Sequence, residues 1–176
     1  MVNILHLGNV DHNVRIGNAY DPNMDKTLQY ARRFSGFNFI SIDIEPNPYT
    51  QGRYHHVQED FLSGLESIAD DSIHLVSSDM SLGYYDMRGD SQSLQKIEYT
   101  SKILSKLKQK LVPDARVMFT GDVFVLKILL DALEENGYKN IEHRELRPNE
   151  FRRTYWTEMM ASVSGWTIYQ VKASLN

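Results

Sequence analysis

The chain has 176 residues, enough for one ordinary domain with a substantial core, and its 41% hydrophobic and 24% charged residues are the balance of a folded globular chain, not a disordered one. Its 23 acidic and 19 basic residues leave a formal net charge of -4, which provides no general attraction to nucleic acid or an anionic membrane. The absence of cysteine excludes disulfides, thiolate nucleophiles and cysteine metal sites together, and makes a reducing, cytoplasmic setting the expectation.

The opening residues, MVNILHLGNVDH, have no basic flank ahead of a long apolar segment, and no later run is long enough to span a bilayer, so a soluble, unprocessed chain is expected. Val2 to Asn9 reads as a strand that stops at Gly8. A polar stretch from Val10 to Tyr20, with Gly17 and several Asn and Asp residues, reads as a long loop. Asp21-Pro22 then opens a helix carrying Met24, Leu28, Ala31 and Phe34 at helical spacing, and Gly36 stops it. The second strand covers Phe37 to Asp43, ahead of Pro46 and Pro48, which cannot donate to a ladder. A third, Tyr54 to Asp60, leads into a short amphipathic helix through Phe61, Leu62, Leu65 and Ile68, closed by Asp70-Asp71.

Ser72 to Ser77 is the fourth strand, followed by a second long loop, Ser78 to Asp90. Ser91 to Leu111 carries the clearest helical pattern, with Leu94, Ile97, Leu104, Leu107 and Leu111 on one stripe. Its five lysines, at 96, 102, 106, 108 and 110, fall mostly elsewhere and read as a solvated face. Pro113-Asp114 is expected to turn the chain into a fifth strand, Ala115 to Thr120. Thr120-Gly121-Asp122 then opens a helix bearing Leu126, Leu129, Leu130 and Leu133, which Asn136-Gly137 ends. The last two strands, Tyr138 to Leu146 and Trp166 to Ala173, are joined by an arginine-rich connection with no crossover helix, so they are expected to pair antiparallel.

Alternating strands and helices through the fifth strand predict a three-layer α/β fold, a doubly wound and mostly parallel sheet. In such a sheet the ligand lies outside the carboxyl ends of the strands, where Gly8, Asp43 and Asp60 would converge. The reversed strand pair after ENGYKNI discriminates further. This element order resembles the class I S-adenosylmethionine-dependent methyltransferases, whose Rossmann-like seven-stranded sheet ends in an antiparallel hairpin. The resemblance spans nearly the whole chain, 1–176, as one methyltransferase-like domain.

That resemblance implies S-adenosylmethionine as cofactor, with Gly8 and Asn9 at the turn after the first strand. It implies Asp43, followed by Ile44, on the ribose hydroxyls, and Asp60 with Phe61 at the adenine. Two ionised oxygens suit two vicinal hydroxyls, and a carboxylate suits an exocyclic amine. It also places Ser77, Ser78 and Asp79 where the methyl acceptor is oriented, with Asp79 as the candidate catalytic group and Tyr84 and Tyr85 beside it. A weaker likeness to the tRNA guanine-7-methyltransferases rests on FTGD, GYKNI, Arg147-Pro148 and TYWTE. It implies that Thr154 and Glu158 help hold cofactor and guanine, with Arg153 beside them, on a segment that covers the site. The partners implied are a small-molecule or RNA acceptor, with a homodimer allowed and no membrane.

Plainer readings stand beside these. Asp43 and Asp60 also read as exposed strand-end carboxylates, Asp79 as a loop cap, and the arginines at 144, 147, 152 and 153 as a surface paired with neighbouring glutamates. His55 and His56 point to opposite faces of a strand and the other histidines lack ligand spacing, so no metal is expected. Val10 and His12 stand where the family has further glycines, which favours a second functional reading, a catalytically inactive relative that binds a nucleoside or a protein partner. A third, a dinucleotide or nucleotide-sugar enzyme, requires the last strand to run parallel to its neighbours.

Overall fold

Seven strands form one sheet in the order β5-β4-β1-β6-β7-β9-β8 in the computed structural model, which describes residues 1–8, 15–16, 19–20, 26–44, 46, 52–79, 81–83, 93–147 and 167–176. These strands are β1 (Val2–Leu7), β4 (Phe37–Asp43), β5 (Tyr54–Gln58), β6 (Ile73–Asp79), β7 (Leu111–Asp122), β8 (Lys139–Glu145) and β9 (Ile168–Ser174). The first five run parallel, while β9 is antiparallel to both β7 and β8. The reversed ending therefore matches the expectation and removes the all-parallel dinucleotide reading. Strand order reverses at β1, which lies between β4 and β6, so the ligand crevice of an open α/β sheet falls at the carboxyl ends of these three strands.

Helices cover both faces. On one, Leu28 and Ala31 of α1 (Lys26–Arg33) pack with Ile4, Phe37, Phe39 and Tyr54. On the other, Leu65 of α2 (Phe61–Glu66), Leu104 and Leu107 of α3 (Ser93–Lys110), and Leu129 and Leu133 of α4 (Val123–Glu135) join Leu5, Leu7, Ile42, Val76, Val117 and Phe119. Ile4 faces one layer and Leu5 the next because strand side chains alternate, and this two-sided burial is why the strands read as nearly continuous apolar runs.

Several boundaries differ from those expected, each for a tertiary reason. The Val10 to Tyr20 stretch holds a small antiparallel ribbon, β2 (Arg15–Ile16) and β3 (Ala19–Tyr20). β6 runs two residues further than its apolar core because Ser78 and Asp79 still pair with Phe119 and Thr120. Pro113-Asp114 is not a turn before β7. Both lie within it, where Ile73 pairs with Leu111 but Leu75 already pairs with Arg116, so the excess residues of β7 form a bulge that accepts an exposed proline. Lys110 departs from the solvated lysine face. Its side chain is only 7% exposed and its Nζ donates to Asp70 Oδ1 at 2.6 Å, while the amides of Asp71 and Ser72 donate to the carbonyls of Gln109 and Lys110 and close the end of α3.

Tyr138 anchors the start of the closing hairpin from the core, donating from its hydroxyl to the Leu104 carbonyl of α3 at 3.0 Å. Burial pushes this phenol above its ordinary value. A raised acid favours the fold while it stays protonated, so its contribution is fully present below the unfolded tyrosine value of about 10 and is lost as pH rises from there. Tyr138→Phe is expected to cost about 1–2 kcal/mol at neutral pH, because the buried carbonyl loses its donor. It should also flatten the fall in stability above pH ~10, as read from urea midpoints between pH 7 and 11.5.

Candidate functional site

The turn after β1 sets the middle of the crevice. Gly8 donates its amide to the Ile42 carbonyl at 2.9 Å, locking the end of β1 to β4, and turns the chain with φ +76°, a conformation that side-chain-bearing residues rarely adopt. A Cβ at Gly8 would overlap the Ser81 side chain and lie 3.5 Å from Phe61 Cζ. Ser81 Oγ lies 3.2 Å from the Gly8 carbonyl and 3.0 Å from that of Asp79, so one hydroxyl bridges the ends of β1 and β6. Gly83, at φ +89°, meets α4 in a similar way, for a Cβ there would stand 2.7 Å from Val125 Cγ1. Residues 81–83 are thus held between the β1 turn and the first turn of α4.

At the neighbouring strand end, Asp43 is 9% exposed and Ile44, directly after it, is 56% exposed. The Glu59 amide donates to the Asp43 carbonyl at 3.1 Å and fixes the exit from β4 against β5. A carboxylate with an exposed apolar plate next to it matches a molecule that presents hydroxyls on one side and a flat apolar face on the other. Asp60, expected at the same edge, is the N-cap of α2. Its Oδ1 accepts from the amides of Leu62 at 2.9 Å and Ser63 at 3.2 Å and from Tyr99 Oη at 3.4 Å, and its Oδ2 accepts from Ser63 Oγ at 2.5 Å. The Ser63 hydroxyl foremost, with the two amides and Tyr99, holds this carboxyl below its ordinary value against the opposing effect of partial burial. Oδ2 keeps acceptor capacity for a ligand amine.

On the other side of β1, Thr120 Oγ1 donates to Asp79 Oδ1 at 2.9 Å across the β6–β7 register, so a buried hydroxyl orients an exposed carboxylate. Ser78 faces inward, where its Oγ accepts from the Leu82 amide at 3.1 Å and shapes the turn that follows. Beneath the edge, in the register order Ser77, His6, Ser41, His56, four polar side chains form a row across four strands. His6 Nδ1 hydrogen-bonds with Ser77 Oγ at 2.7 Å, and Ser41 Oγ with His56 Nδ1 at 2.8 Å and with Tyr54 Oη at 3.0 Å.

The structure thus brings Gly8, Asp43, Phe61 and Asp79 to one edge, assigns Asp60 to a helix cap and turns Ser78 into the core. Asn9, Tyr84, Tyr85, Arg153, Thr154 and Glu158 lie outside the described residues. Sequence reasoning missed Ser81, Thr120 and the polar row. The row does leave a signal, since Ser41, His56 and Ser77 each stand two positions before the last residue of their strands and His6 two positions before the Gly8 stop, in SID, HVQ, SSD and HLG. Among the described residues, no three His, Asp or Glu side chains are grouped to hold a metal, and no helix is long and apolar enough to cross a membrane.

No family model and no curated protein matches the chain at the level of sequence. Solved structures do match it in shape. One is the Haemonchus contortus phosphoethanolamine N-methyltransferase 2 in complex with S-adenosyl-L-methionine, at TM-score 0.62 and 13% identity over 98% of this chain and 48% of that one. A second is a SAM-dependent methyltransferase from Archaeoglobus fulgidus, at TM-score 0.60 and 14% identity over 98% and 86%. A third is the 16S rRNA methyltransferase KamB, at TM-score 0.63 and 13% identity over 99% and 87%. The chain spans about half the length of the Haemonchus protein. Its fold is that of the class I S-adenosylmethionine-dependent methyltransferases.

Proposed function

We propose that this class I methyltransferase fold transfers a methyl group from S-adenosylmethionine to a small-molecule or RNA acceptor. The observation that carries the reading is Asp43 followed by Ile44 at the carboxyl end of β4, directly beside the Gly8 turn at the point where strand order reverses. These residues fit an adenosyl group. Two carboxylate oxygens accept from the vicinal ribose hydroxyls, Ile44 covers a face of the adenine, and Phe61 backs the Gly8 turn. Asp60 Oδ2 completes the set as acceptor for the adenine amine, and the resemblance adds Asn9, the residue after Gly8 in sequence. When bound, S-adenosylmethionine supplies a methyl carbon already made electrophilic by its sulfonium.

The chain's own work is then alignment. Asp79, oriented by Thr120, accepts a hydrogen bond from the N–H or O–H of the acceptor and holds its lone pair towards the methyl carbon. The neighbouring Ser78 shapes the turn at Leu82, and the resemblance assigns Tyr84, Tyr85, Arg153, Thr154 and Glu158 to binding the acceptor. Residues 1–176 act as one domain in a cytoplasmic setting.

Calorimetric titration with S-adenosylhomocysteine tests the reading, with micromolar binding expected. Asp79→Asn should keep that affinity while lowering methyl transfer from radiolabelled cofactor to cell-extract acceptors roughly 10- to 100-fold. A second reading has its own support, because Ser81 fills the place beside Gly8 that a ligand approaching the backbone would use. Absence of both heat and thermal shift with S-adenosylhomocysteine selects that alternative, an inactive methyltransferase fold that binds a nucleoside or a protein partner.

A further inference from the structure

Phe124 is 74% exposed and Val123 beside it 55%, at the first turn of a helix whose inward side chains Val125, Leu129 and Leu133 are buried. Their position is set closely. Asp122 Oδ1 accepts from the amides of Phe124 at 2.9 Å and Val125 at 3.1 Å, capping α4 at the end of β7. Val125 meets Gly83, and Thr120, four residues before Phe124, is hydrogen-bonded to Asp79. Residues 120–125 therefore run beside Asp79 and residues 81–83, with Phe124 and Asp79 on the same rim. Four residues of chain reach at most about 14 Å, and two of these four already belong to β7.

We propose that Phe124 is the stacking platform for the methyl acceptor, and that the acceptor is a planar nitrogen heterocycle of the nucleobase class. The proposal rests on the methyl-transfer reading for the role of Asp79, but not for the binding it predicts. An exposed aromatic face attracts a flat π system and contributes little to a flexible aliphatic chain. The Asp79 carboxylate, on the same rim and held by Thr120, accepts hydrogen bonds and donates none, so of flat ring systems it favours one that carries N–H groups. A nucleobase offers both features on one rigid body. The same chemistry is presented by a free nucleoside and by an unpaired base in RNA, and the two sources differ in what else they contact.

The test uses the full chain with its cofactor site saturated by S-adenosylhomocysteine, so that added nucleosides report only on the second site. Guanosine and cytidine are titrated by saturation-transfer NMR, with ribose as the non-planar control and a single-stranded RNA pentamer as the polymeric probe. Saturation is expected on base protons of at least one nucleoside and not on ribose. Phe124→Ala should weaken that binding roughly 10- to 100-fold and Phe124→Trp should restore it to within a few-fold, with S-adenosylhomocysteine affinity and thermal melting unchanged in both. Tighter binding of the pentamer assigns the base to RNA, and equal binding assigns it to a free nucleoside. The proposal is overturned if neither nucleoside touches the protein, or if Phe124→Ala binds as tightly as the parent. Should S-adenosylhomocysteine fail to bind while Phe124→Ala still abolishes the nucleoside contact, the methyl-transfer reading falls and the platform stands.

Discussion

Exchanging Asp43 for asparagine is expected to weaken S-adenosylhomocysteine binding about 100-fold while leaving the melting temperature within a few degrees of the parent. The two side chains have nearly the same shape, so the packing of this 9% exposed position is kept. What changes is the acceptor. A carboxylate takes both vicinal hydroxyls through ionised oxygens, whereas an amide has one neutral oxygen and turns two N–H donors towards groups that are themselves donors. A charge-assisted hydrogen bond contributes about 1.5–3 kcal/mol, and 1.4 kcal/mol is tenfold in affinity. Calorimetry on the parent and the variant checks this. An affinity within threefold of the parent would show that the β4 carboxylate does not hold the ribose, and would remove the observation on which the proposed function rests.

Gly8→Ala should be the most damaging single change at the site. Holding a side-chain-bearing residue at φ +76° costs about 1–2 kcal/mol, and the new Cβ also overlaps Ser81, so a loss of about 2–4 kcal/mol is expected in urea unfolding, together with loss of S-adenosylhomocysteine binding. The two contributions separate in a double-mutant cycle. Ser81→Gly alone removes a hydroxyl that bridges two carbonyls near the surface, and should cost about 1 kcal/mol. Combined with Gly8→Ala it clears the space for the Cβ, so the double variant should be more stable than the sum of the singles by about 1–2 kcal/mol, while the backbone cost persists. Strict additivity would mean that Ser81 does not occupy the notch in solution.

These tests bear on features with very different visibility in the sequence. The runs ending at Gly8 and Asp43 were legible because a strand covered by helices on both faces must be apolar along its length, and a polar or glycine stop then marks its exit from the core. The stop after α4 at Asn136-Gly137 was legible for a different, local reason, a glycine free to take the left-handed conformation past the helix end, and the reversed hairpin followed from the lack of any crossover helix before β9. Asp60 is a different case. Asp-Phe-Leu-Ser is a local N-cap pattern, and the amides of Leu62 and Ser63 take up Oδ1 of the side chain that resemblance directs to an adenine, a role left to Oδ2. Likewise Pro113-Asp114 reads as a turn in isolation and becomes a bulge only because β6 offers fewer residues opposite it.

By itself the sequence determined the layers, the order of strands and helices, the antiparallel close and the row of strand ends where a ligand would sit, because each follows from periodicity and from residues acting on their immediate neighbours. Only the tertiary structure decided that Ser81 fills the notch at Gly8, that Thr120 orients Asp79, that His6 meets Ser77 and Ser41 meets His56, and that Phe124 stands exposed at the first turn of α4. The Gly8, Asp79 and His6 contacts join positions 41 to 73 residues apart, and Ser41 meets His56 on a different strand. Strand register and the fit of a helix end against a loop set all of them, and neither leaves a periodic trace in a single chain.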